Sequence, residues 1–213
     1  MRYGNRWPHG TPLVRLPGPF RITLGDANSG MCGGMALAAA DLYRAGRLPA
    51  ATSTPPAVGT AAFDYLRDRL IASWDIPWGA ATFVSWSMTP DGSFFGIPGV
   101  GRRTVRDQLP KAQAAIDAGG LVLLGLVTVH TFNLAEVGRN HTVLGYRYRK
   151  GPASASIAVY DPNSPGRDDI GITIDTEGDD APRITHNVGI KLPIRGFFVL
   201  PLTTADPTPV AAP

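Results

Sequence analysis

The sequence predicts an α+β fold, with a helical first half packed against a mostly antiparallel sheet in the second. Two observations carry this expectation. Before residue 120, apolar side chains recur at helical spacing between loops rich in Pro and Gly. After it, short runs of β-branched and aromatic residues alternate with clusters of Gly, Pro, Asn and Asp. A third observation sets the scale: the 213 residues are 44% apolar and only 17% charged, enough for a buried core in a single domain spanning 1–213.

Residues 1–29 are rich in Pro and Gly and read as an extended lead-in. Residues 31–45, with Met35, Leu37, Ala38 and Leu42, favour helix, and Gly46 is a natural stop. Four prolines make 47–59 a loop. Phe63, Leu66, Leu70 and Ile71 share one helical face, which predicts a second helix near 60–74. Residues 75–103 show no period and read as a long irregular region, with short helical turns around Thr82 to Ser87. Thr104 is placed to cap a helix that runs to Ala118 and ends at Gly119-Gly120. Strands are expected at 121–128, 142–149, 155–160, 171–175, 183–185 and 197–202, followed by a frayed tail, 205–213.

The net charge of +3 is small. Its densest basic spots, Arg102-Arg103 and Arg147, Arg149 and Lys150, form no stripe interleaved with aromatics. Nucleic acid is therefore not an expected partner. No run is long and apolar enough for a membrane span, and the first residues lack a secretory signal's apolar core. The expected location is the cytoplasm, or export without a recognisable signal peptide. One cysteine excludes an internal disulfide and a Cys-based zinc site. The acidic runs at 167–169 and 178–180 lack calcium-loop spacing and read as solvated turns, so no cofactor and no metal are expected.

That single cysteine is the most informative residue. Cys32 lies in NSGMCGGMALAAADLY, at the predicted start of a helix and flanked by Gly30, Gly33 and Gly34. A helix N-terminus stabilises a thiolate. The glycines would admit a substrate backbone to the sulfur and let the helix pack closely on a neighbour. A nucleophilic thiol needs a base and a group to orient it. His141 opens a strand in RNHTVLGYRYR, and the next strand, ASIAVYDPNSPG, ends at Asp161. Antiparallel pairing of the two would set the start of one beside the end of the other. Each residue also has an ordinary reading: a buried thiol, a hydrogen-bonded histidine, a turn-forming aspartate. His186 is a second candidate base, with nothing in the sequence to orient it; His130 and Asn133 read as loop residues.

These three stretches together resemble the papain-like cysteine peptidases. In that family the nucleophile starts the long helix of the first half. The base starts a strand of the second half, and an Asn or Asp at the end of the following strand orients it. The resemblance implies Cys32 as nucleophile, His141 as base and Asp161 as orienting carboxylate, with Asn163 as the alternative third residue. It also implies an oxyanion donor upstream of the cysteine. Family members use Gln there; this chain offers Asn28, beside the backbone N–H of Cys32. Asp26 is a poor substitute, because a carboxylate repels an oxyanion. The implied activity is hydrolysis of a peptide or amide bond through a Cys thioester, with a peptide or protein as substrate. The same triad would serve an acyl-transferase or deamidase, and a third possibility is an inactive domain of this fold that only binds a partner.

Overall fold

The computed structural model describes residues 1–8, 12–15, 23–26, 30–177 and 180–213. It is a mixed helix and antiparallel-sheet structure, as the sequence predicts. Helix α1 (Cys32–Arg44) pairs with α2 (Ala61–Ser73). Thr60 caps α2 by accepting the Phe63 N–H. α1 closes at Gly46, whose φ of +62° suits glycine. Met35, Ala38 and Leu42 of α1 and Phe63, Leu66 and Leu70 of α2 are at most 4% exposed and form one cluster with Tyr3 and Trp7.

The region expected to be irregular contains a full helix, α3 (Trp78–Met88). It has no polar stripe to give it away, because Gly, Ala, Thr and aromatics occur on every side. Phe83 and Trp86 bury its inner face against Phe198, while Thr82 and Ser85 turn their hydroxyls back onto helix carbonyls. The expected cap at Thr104 is also corrected. The helix starts earlier, as α4 (Val100–Arg103), and continues through a π turn (Thr104–Gln108) into α5 (Leu109–Asp117). Thr104 is buried within it. Its hydroxyl donates to the Val100 carbonyl and accepts the Phe197 N–H, which welds this helix to the sheet.

The main sheet contains β3 (Val122–Val127), β4 (His141–Lys150), β5 (Ser154–Tyr160), β6 (Gly171–Asp175), β7 (Ile184–His186) and β8 (Gly196–Leu200). Its spatial order is β7-β6-β5-β4-β3-β8, every neighbour antiparallel. β3 is buried throughout because both faces are covered. Leu123 and Val127 meet α1 and α3, whereas Leu124 and Leu126 meet the α5 side. A short helix, α6 (Leu134–Val137), interrupts the connection from β3 to β4 and is capped by Asn133.

The two chain ends bear differently on the sequence expectation of an extended lead-in and a frayed tail. The lead-in holds an antiparallel pair, β1 (Pro12–Arg15) and β2 (Thr23–Asp26), with Pro12 opposite Asp26. The tail is docked rather than frayed. Val210 is buried, Ala212 N–H donates to Leu48 O, and Arg47 reaches the Ala212 carbonyl. A buried ion pair joins helices and tail: Arg69 Nε lies 2.8 Å from Asp41 Oδ2, and Ala205 N–H donates to Asp41 Oδ1. Among the described residues no helix is long and apolar enough to cross a membrane.

Candidate active site

Cys32 is the first residue of α1, where the free N–H groups of the helix converge. The glycines around it are explained by packing. A Cβ on Gly34 would collide with the Leu66 carbonyl oxygen and stand 3.0 Å from Leu70 N; one on Gly33 would run into Ser73. Both glycines therefore face α2 and let the two helices touch backbone to backbone. Gly30 serves the other purpose of glycine: its φ is +111°, and a Cβ there would stand 2.7 Å from Asn5 Nδ2.

His141 is the first residue of β4, beside the end of β3, with Leu126 as its register partner. The preceding residue fixes it there. Asn140 Oδ1 accepts the N–H groups of Thr128 (2.8 Å) and Val129 (3.3 Å), and its amide donates to Ser87 Oγ on α3 (3.0 Å). Asp161 follows β5 immediately. Its Oδ1 accepts from His141 Nε2 at 2.7 Å and from the Asn163 N–H at 2.8 Å. With Nε2 committed to Asp161, Nδ1 is the ring nitrogen left for the cysteine. The imidazole, with the backbone N–H groups of Thr142 and Gly33, acts on the Cys32 thiol and favours its charged form.

The structure thus brings Cys32, His141 and Asp161 into one chain of contacts. It also separates the two candidates for the third position. The Asn163 amide nitrogen lies 3.4 Å from His141 Nε2, while its oxygen accepts from Asn5 Nδ2 at 3.3 Å. In that orientation Asn163 offers the ring a donor and cannot accept its proton. Asn28 lies outside the described residues. His130 is exposed in the β3–β4 connection, and Asn133 is occupied as the α6 cap.

The electrostatics favour an ion pair. Burial pushes the Cys32 thiol up, but the hydrogen bond and charge of His141 and the two backbone N–H groups outweigh it, so the thiol sits below its ordinary value. For His141, burial disfavours the cation. Hydrogen bonds to Asp161 and Cys32 and their charges reverse that and hold the ring well above its ordinary value. Asp161 is 1% exposed, and burial would raise it. The hydrogen bond from His141, with His186 facing the second oxygen and the Asn163 N–H on the first, holds it far below the usual carboxylate range. A thiolate, an imidazolium and a carboxylate in this order would alternate in sign, the arrangement in which three buried charges can share a site. Cys32 is half-buried as a residue, and burial is the largest influence on its thiol. A pocket of about 520 Å³ lies further along the α1–β4 seam, lined by Leu42, Leu144 and Tyr160 among others, and includes no member of the triad.

Asn5 escapes sequence reasoning altogether, and His186 reads there only as a second candidate base. Asn5 lies in the lead-in, with no periodic signal around it. Its Oδ1 accepts the Met31 N–H at 2.6 Å, its backbone N–H donates to Pro162 O, and its amide holds Asn163. It therefore ties the start of α1 to the Asp161 turn. His186, on β7, places Nε2 3.1 Å from Asp161 Oδ2. Among the described residues no group of three or more His, Cys, Asp or Glu side chains is arranged to hold a metal ion. Comparison of the chain with protein-family models, curated proteins and solved structures returns no match.

Proposed function

We propose that the protein is a papain-like cysteine hydrolase that cleaves a peptide or amide bond. The observation that supports this reading is the continuous contact from Cys32 through His141 to Asp161, with the thiol lowered and the imidazole raised. In the proposed cycle the Cys32 thiolate attacks the carbonyl carbon. The oxyanion that forms takes the Cys32 backbone N–H, with Asn28 as the candidate second donor. The His141 imidazolium then gives its proton to the leaving amine, and the C–N bond breaks. Water, deprotonated by the now neutral His141, hydrolyses the thioester and restores the thiol. Asp161 keeps Nδ1 directed at the sulfur throughout and stabilises the imidazolium.

The test is cleavage of a complex peptide library by the native protein and by Cys32→Ala, read by mass spectrometry. Cleavages present only with the native protein support the reading. Identical product patterns from both contradict it.

A further inference from the structure

His186 is a buried titratable side chain that the proposed cycle does not use. It lies on β7, two strands from β5, yet reaches the carboxylate that follows β5. Its side chain and that of Asp161 are each 1% exposed. The Nε2–Oδ2 separation is 3.1 Å, and neither atom has another hydrogen-bond partner among the described residues. Its Nδ1 is buried with no partner among the described residues.

These facts select a protonation state. Facing a carboxylate oxygen, Nε2 must carry a proton. A second proton on Nδ1 would bury a charged N–H with nothing to receive it. A proton on Nε2 is the arrangement that gives Asp161 Oδ2 a donor. Asp161 then stands between two imidazoles: His141 on Oδ1, His186 on Oδ2. The Asn163 N–H also binds Oδ1, which leaves His186 as the group that faces the second oxygen. Among the described residues, the remaining titratable groups coupled to this cluster are Cys32, through His141, and the Tyr160 hydroxyl, which is buried with no hydrogen-bond partner there.

We propose that His186 is a positioning residue, an Nε2–H donor that clamps Asp161 Oδ2 so that Oδ1 stays aligned on His141. The inference rests on the hydrolase reading above. Without the clamp only the bonds at Oδ1 resist turning of the carboxylate about its Cβ–Cγ bond, and its alignment on the imidazolium that supports the Cys32 thiolate weakens.

The experiment is the pH profile of Cys32 alkylation by iodoacetamide in the full chain, for the native protein, His186→Leu and His186→Gln. The leucine variant should raise the midpoint by about one pH unit, the order expected for losing one hydrogen bond to a charged group. Glutamine, whose amide can take the place of Nε2–H, should hold the midpoint within about 0.3 unit of native. A leucine profile that superimposes on native overturns the proposal, as does a glutamine profile shifted as far as leucine. A histidine kept only for packing would lower thermal stability without moving this midpoint. Should the leucine variant not fold, nitrogen-15 NMR of histidine in the native protein decides: a proton on His186 Nε2 is expected, and one on Nδ1 overturns the proposal. A native Cys32 that titrates as an ordinary thiol defeats the hydrolase reading instead, and the tautomer measurement still tests His186 separately.

Discussion

Replacing Gly34 by alanine adds one methyl group at the place where α1 and α2 touch. Helix propensity alone would make this change stabilising, by about 1 kcal/mol. The structure says the opposite. The new Cβ would fall inside contact distance of the Leu66 carbonyl oxygen, 3.0 Å from Leu70 N and 3.2 Å from the Leu66 carbonyl carbon. All three are backbone atoms of α2 and cannot rotate aside, so the helices must part by roughly 0.5–1 Å, enough to forfeit a quarter to a half of each dispersion contact across the seam. Phe63, Leu66 and Leu70 pack there, each worth about 1.5–3 kcal/mol when fully buried. Losing about a third of that is roughly 1.5–3 kcal/mol of strain and lost packing, in line with the usual cost of overpacking a core. Set against the propensity gain, the net destabilisation should be about 0.5–2 kcal/mol. Urea denaturation followed by circular dichroism would measure it as a lower midpoint at constant slope. A Gly34→Ala protein as stable as native, or more so, would refute the packing argument. Gly33→Ala gives an internal control: its clash is with the Ser73 side chain, so Ser73→Gly in the same chain should recover much of the loss, and no second substitution rescues Gly34 in this way.

Asp41→Ala should cost about 3–5 kcal/mol in the same assay, because it leaves the Arg69 guanidinium buried beside α1 without its carboxylate. Asp161→Asn should move the alkylation midpoint of Cys32 upward by about one to two pH units, from the loss of a charge-assisted bond to His141; Asn163→Ala should move it far less, and equal shifts would return Asn163 to the third position. Asn5→Ala removes the acceptor of the Met31 N–H and the donor to Asn163. It should slow alkylation of Cys32 and lower stability by about 1–2 kcal/mol, with unchanged values on both counts arguing against a link between α1 and the Asp161 turn.

The legible parts of this fold were those with local signals. α2 shows its apolar face and its Thr60 cap, and the strands show their β-branched runs between turn residues. Pairing β4 with β5 followed from their adjacency in sequence, and that pairing brings His141 to Asp161. α3 was missed because a helix covered on most sides by aromatic and small residues has no amphipathic period. Thr104 looked like a cap because a hydroxyl before a helical run usually is one; here it binds across to β8, a partner 93 residues away. Gly33 and Gly34 read as room for substrate and as room for a neighbouring helix, and the sequence held no sign of which, since α2 meets them from 32 or more residues downstream. Asn5 and His186 act only through contacts made by folding, one from the lead-in and one from a strand two places across the sheet.

The central claim is that the lone thiol is ionised by a neighbouring imidazolium, and thiolate absorbance in the ultraviolet, native minus Cys32→Ala, tests it most directly. Asp161 and Cys32 both gain from being charged in the folded state, so the pair is lost as pH falls through the lowered thiol value. It is lost again as pH rises and His141 gives up its proton, at about 10. The account predicts thiolate absorbance present at neutral pH, well below the ordinary cysteine value of about 8.5, and its displacement upward in His141→Gln. A thiolate that appears only at or above that ordinary value, or a profile unchanged by His141→Gln, would contradict it.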